Sequence, residues 1–149
     1  GKLGFEKEEI YAANVFTANG DESVAAAGFY ATSADTEYEV YVVNNFNNES
    51  SLTTRTKVAS GSLEQSGYYT IDFDEAVDVT AGEKFAVMLY LKTPGYEYPM
   101  AIEYDSGESY LDTVDLDDGE GYISYTGNKF INVKDKQDCN LCIKAFTNG

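Results

Sequence analysis

The chain has 149 residues, enough for one domain with its own core, and its 26 acids against 10 bases give a formal charge of −16. A field of that sign repels phosphate backbones and anionic lipid, so it excludes nucleic acid and charged membrane surfaces while leaving calcium, neutral sugars and basic proteins. An apolar fraction of 43% with 13 Tyr and 8 Phe excludes an acidic disordered chain. Solubility in a salty exterior accounts for the same charge without any partner.

No apolar run reaches the roughly 18–20 residues needed to span a bilayer as a helix, and no membrane insertion is expected. No leader is visible. Gly1-Lys2-Leu3-Gly4 reads as a scar standing in place of one, with residues 1–7 either part of that remnant or disordered. The rest reads as a single domain, with no internal repeat and no Pro-rich linker.

The dominant signal along the chain is a series of short runs rich in Val, Ile, Tyr, Phe and Thr, separated by Gly, Asn, Asp and Ser. Ile10 to Phe16 is the first predicted strand, and Val24 to Thr32 the second. In Glu37 to Val43, Tyr38, Val40 and Val42 share one face, whereas Glu37, Glu39 and Tyr41 share the other, as on a surface strand with a solvated side. Asn44 to Ser51 reads as a polar loop that contributes nothing to a core, and Leu52 to Val58 as a further strand. After a turn at Gly61 to Gly67, the run from Tyr68 to Phe73 alternates cleanly, with Tyr69, Ile71 and Phe73 inward. Val77 and Val79 read as a short edge, and Thr80-Ala81-Gly82-Glu83 as a tight turn.

Lys84 to Leu91 is the most hydrophobic segment and reads as a central strand covered on both faces. Pro94-Gly95 suits a type II turn, because Pro fixes φ and Gly accepts the positive φ that follows. Pro99 to Tyr104, Tyr122 to Tyr125, Phe130 to Val133 and Leu141 to Phe146 complete the strands. So many short strands without a long helix predict an all-β fold, a two-sheet antiparallel sandwich of jelly-roll type. A barrel is the alternative, disfavoured by the uneven spacing.

Catalytic chemistry is narrowed by what is missing. With no histidine there is no Ser–His or Cys–His pair and no His-ligated zinc. No phosphate-loop glycine pattern occurs. Paired carboxylates of glycosidase type arise by chance among 26 acids, so no enzyme is predicted. Cys139 and Cys142 have the spacing of half a zinc ribbon, with no second half. On a strand, residues three apart point to opposite faces, so ordinary packed or solvent-facing thiols are expected, with a strained redox pair or a metal as alternatives.

Calcium suits the acidic loops, since it takes six to eight oxygen ligands. The densest loop runs from Asp112 to Glu120 and contains Asp115, Asp117 and Asp118, although Glu120 stands where an EF-hand needs glycine. The second candidate is Asn19-Gly20-Asp21-Glu22. The expected ligands are therefore Asp21, Glu22, Asp115 and Asp117, against the alternative that these are solvated turns. For a sugar, the device is an aromatic ring lying flat on a pyranose beside hydroxyl-binding Asn, Asp or Glu. Trp is absent, so Tyr must serve. Tyr96 and Tyr98, held in Thr93-Pro94-Gly95-Tyr96-Glu97-Tyr98-Pro99, are the first candidates, with Tyr104 and Tyr122 next. Half-buried strand packing is the competing explanation for each.

Taken in order, Ala13-Asn14-Val15-Phe16-Thr17-Ala18, Val24 to Tyr30, Glu37 to Val42, Gly82 to Val87, Thr93 to Tyr96 and Cys142 to Thr147 resemble one known family. It is the lectin-like domain that accompanies papain-like cysteine peptidases and surface proteins of Gram-positive bacteria and some archaea. The resemblance implies a jelly-roll sandwich similar to carbohydrate-binding modules, located outside the cell or on its surface, sometimes holding calcium and not itself catalytic. Where that family often carries Ser-x-Asp-Gly followed by Trp, this chain has Ser124 to Phe130, so Phe130 takes the aromatic position. Two functions follow as expectations. One is a carbohydrate-binding accessory module with a polysaccharide or other glycan as partner; the other is a structural or adhesive domain packing against a neighbouring peptidase or scaffold domain.

Overall fold

The computed structural model describes residues 2–3, 9–31, 33–93, 100–104, 120–124, 127, 130–132, 139–141 and 143–148. In chain order the strands are β1 (Lys2–Leu3), β2 (Glu9–Thr17), β3 (Glu22–Ala31), β4 (Thr36–Val43), β5 (Thr56–Leu63) and β6 (Gly67–Val79). They continue as β7 (Lys84–Lys92), β8 (Met100–Tyr104), β9 (Glu120–Ser124), β10 (Ile131–Asn132), β11 (Cys139–Leu141) and β12 (Ile143–Asn148). The fold is an all-β, two-sheet antiparallel sandwich of jelly-roll type. The larger sheet runs β10-β9-β2-β7-β4-β5; β12-β3-β6 packs against it, and a small sheet β1-β8-β11 continues beside them.

Period-two alternation decides which side chains meet where. On β7, Phe85, Val87, Leu89 and Leu91 enter the space between the sheets, where Ile10, Ala12, Phe29, Val40 and Val42 meet them. The intervening Ala86 and Met88 enter a second core on the outer face of the large sheet, with Ala13, Val15 and Val43. β7 is thus covered on both faces, as its continuous apolar run predicts. Each large side chain so buried contributes about 1.5–3 kcal/mol. On β6, Tyr69, Ile71 and Phe73 pack on the inter-sheet core as the alternation requires. At the other end of β7, Gly82 takes φ 79° and the N–H of Glu83 donates to the carbonyl of Thr80 at 3.0 Å, closing the turn before the strand. A polar tie crosses the sandwich: Asn14 on β2, itself buried, donates through Nδ2 to the Ile143 carbonyl of β12 at 3.1 Å.

The structure differs from the sequence reading at several points. Asn44 to Ser51 does supply a core residue: Phe46 is 6% exposed, and its N–H donates to the Lys84 carbonyl at 2.8 Å. Leu52, expected to open a strand, is fully buried on a short 3₁₀ helix, Glu49–Thr53, whose first turn is capped by the Asn48 side chain accepting from Ser50 N–H at 3.0 Å. Val77 and Val79 are not a separate edge but the end of β6, which bulges between its pairings with Val24 and Ala26. Lys2 and Leu3 pair with Ala101 and Met100. The stretch Leu141 to Phe146 is split, with β11 pairing β8 and β12 pairing β3. Cys139 stands on β11 opposite Tyr104; Cys142 lies outside the described residues.

Candidate functional site

The outer face of the large sheet has a dry end and a polar end. Phe46, Leu52 and Phe130 cover the dry end, together with Tyr122, whose ring centroid lies 5.8 Å from that of Phe46. Toward the other end the pairing register sets Tyr11 of β2 beside Tyr90 of β7, and Tyr90 beside Glu39 of β4. One tier further, Glu9 and Glu37 flank Lys92. The Tyr11 and Tyr90 rings lie 5.0 Å apart, tilted by 48°. Two ion pairs frame the tier, Lys92–Glu9 at 3.8 Å and Lys57–Glu39 at 3.7 Å. Both are largely solvated and worth little to stability.

Arg55 joins the two ends. Its guanidinium carbon sits 5.2 Å from the Tyr11 ring centroid and 5.1 Å from that of Tyr41, a cation between two aromatic faces. Its Nη1 donates to the carbonyls of Leu52 at 3.1 Å and Gly127 at 2.8 Å, tying the 3₁₀ segment to the chain after β9. Gly127 has φ 80°, and a Cβ there would stand 3.0 Å from Tyr11 Cζ and 3.1 Å from Arg55 Nη2. Only glycine allows this approach.

Two of the tyrosine hydroxyls here, those of Tyr41 and Tyr90, are held protonated. Burial, and then the hydrogen bond that Tyr41 donates to Glu39, push the Tyr41 hydroxyl up to about 12. Burial, followed by the charge of Glu9, moves Tyr90 up to about 12 as well. The tier thus offers ring faces, hydroxyl donors, carboxylate acceptors and ammonium donors, a set suited to binding a polyhydroxylated ligand.

The outer face of β12-β3-β6 is different. Tyr30, Tyr68 and Phe146 are 46%, 41% and 42% exposed, and no other large hydrophobics among the described residues are so open. The Tyr30 and Tyr68 rings meet edge to face with centroids 4.9 Å apart. Tyr68 and Phe146 both lie over Gly28, where a Cβ would stand 2.0 Å from Tyr68 Oη and 3.2 Å from Phe146 Cε2. The bare backbone of Gly28 is the seat for these rings.

Of the residues expected from the sequence to contact a ligand, Tyr122 is 9% exposed inside the second core. Tyr104 is on β8, opposite Cys139. Tyr96 and Tyr98 lie outside the described residues, as do Asp115 and Asp117. Asp21 is exposed, and its Oδ1 accepts from the Ala81 N–H at 3.0 Å, bracing the turn before β7; Glu22 begins β3 beside it. Among the described residues no three carboxylates or thiols converge as a metal site. The sequence reading did not single out Tyr11, Tyr90 or Arg55 as a group, nor Tyr30, Tyr68 and Phe146. Alternation along β2 puts Tyr11 on the face of Ala13 and Val15, but the register that sets it beside Tyr90 is tertiary.

An antiparallel sandwich with aromatic side chains on the outer faces of both sheets is the class of fold that these strands define. Within that class the chain belongs to the lectin-like domain family, whose profile, described as "Lectin like domain", matches residues 1–147. This agrees with the resemblance read from the ordered motifs. Among solved structures it is similar to the cysteine protease and lectin-like domains of Cwp84, a surface layer associated protein of Clostridium difficile. That likeness has a TM-score of 0.73 and 28% identity, covering 95% of this chain and 32% of the other. A second structure, the Clostridial cysteine protease Cwp84 after propeptide cleavage, has a TM-score of 0.74 and 28% identity, covering 99% of this chain and 37% of that one. The chain thus spans about a third of the length of these relatives. No protein of curated function matches it significantly.

Proposed function

We propose that this domain is a non-catalytic accessory module of an extracellular, surface-layer type protein, and that it packs against a neighbouring peptidase or scaffold domain of the same polypeptide. The observation that carries this reading is the alignment of 95% of the chain with 32% of a surface protein that also contains a cysteine protease domain. The absence of histidine from all 149 residues supports a non-catalytic part, since a Cys–His pair needs an imidazole. The test is hydrogen exchange on the isolated domain and on the full-length polypeptide containing it. A stretch of this domain exchanging at least tenfold slower in the longer chain is expected; identical exchange throughout would refute the reading.

A second reading, glycan binding, is favoured by one feature: the tier of Tyr11, Tyr90 and Glu39, with hydroxyls and carboxylates in one row. Polysaccharide pull-down with calcium and again with chelator tests it. Tyr90→Ala is expected to weaken capture several-fold, and uniform absence of capture removes the reading. Calcium, if held, falls to Asp21 and Glu22 or to the acidic loop with Asp115 and Asp117. A melting temperature unchanged by chelation removes it, because a ligand bound only by the folded state raises that temperature.

A further inference from the structure

The aromatic patch on the outer face of the smaller sheet lies open to water. Tyr30, Tyr68 and Phe146 each leave more than two fifths of their surface to water. A soluble domain seldom gathers large apolar groups in the open without a partner for them. The patch is also built: β3 carries glycine at position 28, under the Tyr68 and Phe146 rings, so both lie down on backbone rather than on a side chain.

Geometry and charge narrow the partner. Tyr30 and Tyr68 meet at an interplanar angle of 64°, so they offer a knobbed surface rather than the coplanar track along which a sugar chain lies. Beside them, exposed Asp72, Asp74, Glu75 and Asp78 line β6, an edge strand of its sheet. Lys144 on β12, level with Gly28, is the nearby base. An acidic rim on a chain of charge −16 repels a second copy and an anionic lipid surface alike. It attracts a protein surface whose apolar centre is ringed by Lys and Arg. Tyr is among the residues that most often carry binding energy at the centre of such contacts.

We infer that the outer face of β12-β3-β6, centred on Tyr30, Tyr68 and Phe146, is the surface on which the neighbouring domain of the same polypeptide docks, and that this neighbour presents an apolar centre with a basic rim. The inference rests on the packing function proposed above and adds its location and chemistry. A tethered neighbour is present at an effective concentration in the millimolar range, so a patch of a few aromatic rings suffices to hold it.

Hydroxyl-radical footprinting of the isolated domain and of the full-length polypeptide tests the location. Oxidation of Tyr30, Tyr68 and Phe146 is expected to slow at least fivefold in the longer chain, with Tyr90 on the opposite sheet unchanged. Replacing Asp72→Lys and Asp74→Lys together in the full-length polypeptide is expected to return the three rings to at least half their isolated rate. If another face of the domain is protected and these rings are not, the docking surface is refuted while the packing function stands. If no residue of the domain is protected, both fail. Sedimentation of the isolated domain covers the other occupant: a dimer abolished by Tyr30→Ser with Phe146→Ser would place a second copy on the patch and overturn the inference.

Discussion

The two outer faces of this sandwich are both rich in aromatic residues, yet they have opposite fates. On the large sheet the chain folds back over its own aromatics: Phe46 and Leu52 from the segment after β4 fill the dry end, and Arg55 lies between Tyr11 and Tyr41. On the small sheet no described segment does the same, and Tyr30, Tyr68 and Phe146 stay open. The difference comes from loop length and content rather than from the strands. Twelve residues, 44–55, separate β4 from β5, enough for a capped 3₁₀ turn that carries Leu52, with Phe46 before it and Arg55 after it. The link from β5 to β6 is only Glu64-Gln65-Ser66, too short to cover anything. A closed aromatic face stabilises the domain; an open one is available to something else.

Substitutions on the two faces should therefore separate cleanly. The largest effect is expected at Phe46, where Phe46→Ala empties the middle of the second core and costs about 3–5 kcal/mol in urea unfolding. A loss below about 1 kcal/mol would mean that the loop is not a structural lid. Arg55→Ala comes next. It removes two hydrogen bonds from a charged group to carbonyls and a cation held between rings, an expected loss of about 2 kcal/mol. Arg55→Lys should recover only part, because an ammonium cannot reproduce the planar fork.

A smaller effect is expected from pH. Tyr41 and Tyr90 ionise at about 12 in the folded domain, against the ordinary tyrosine value of 10. Between those limits the folded state therefore holds protons that the unfolded chain has lost, so stability falls as pH rises. The contribution is fully present below pH 10 and lost as pH climbs through about 12. Thermal melts between pH 9 and 12 should show the decline, and Tyr41→Phe with Tyr90→Phe should flatten it. The smallest effect belongs to the open face: Tyr30→Ser should change stability by no more than about 0.5 kcal/mol. A loss above about 2 kcal/mol would make that face part of the fold and spoil the contrast.

The same contrast marks what was legible in the residues. Alternation located most strands, and the unbroken apolar run from Phe85 to Leu89 announced a strand with cores on both sides. The Asn-rich stretch after β4 misled because composition averages over its length: one Phe and one Leu among polar neighbours look incidental until the sheet beneath them is in place. Tyr122 packs its ring on Phe46, a contact that nothing local to either residue encodes.

By itself, then, the sequence determined the all-β class, the inward face of β6, the cover on both faces of β7, the turn at Gly82 and the lack of histidine chemistry. These depend on period-two patterning, on backbone angles that glycine alone tolerates and on plain composition, all of them local. Tertiary structure decided which tyrosines became neighbours, which face was roofed by its own loop and which was left open. Those outcomes depend on cross-strand register and on where a loop lands, contacts between residues tens of positions apart whose pairing no short window encodes.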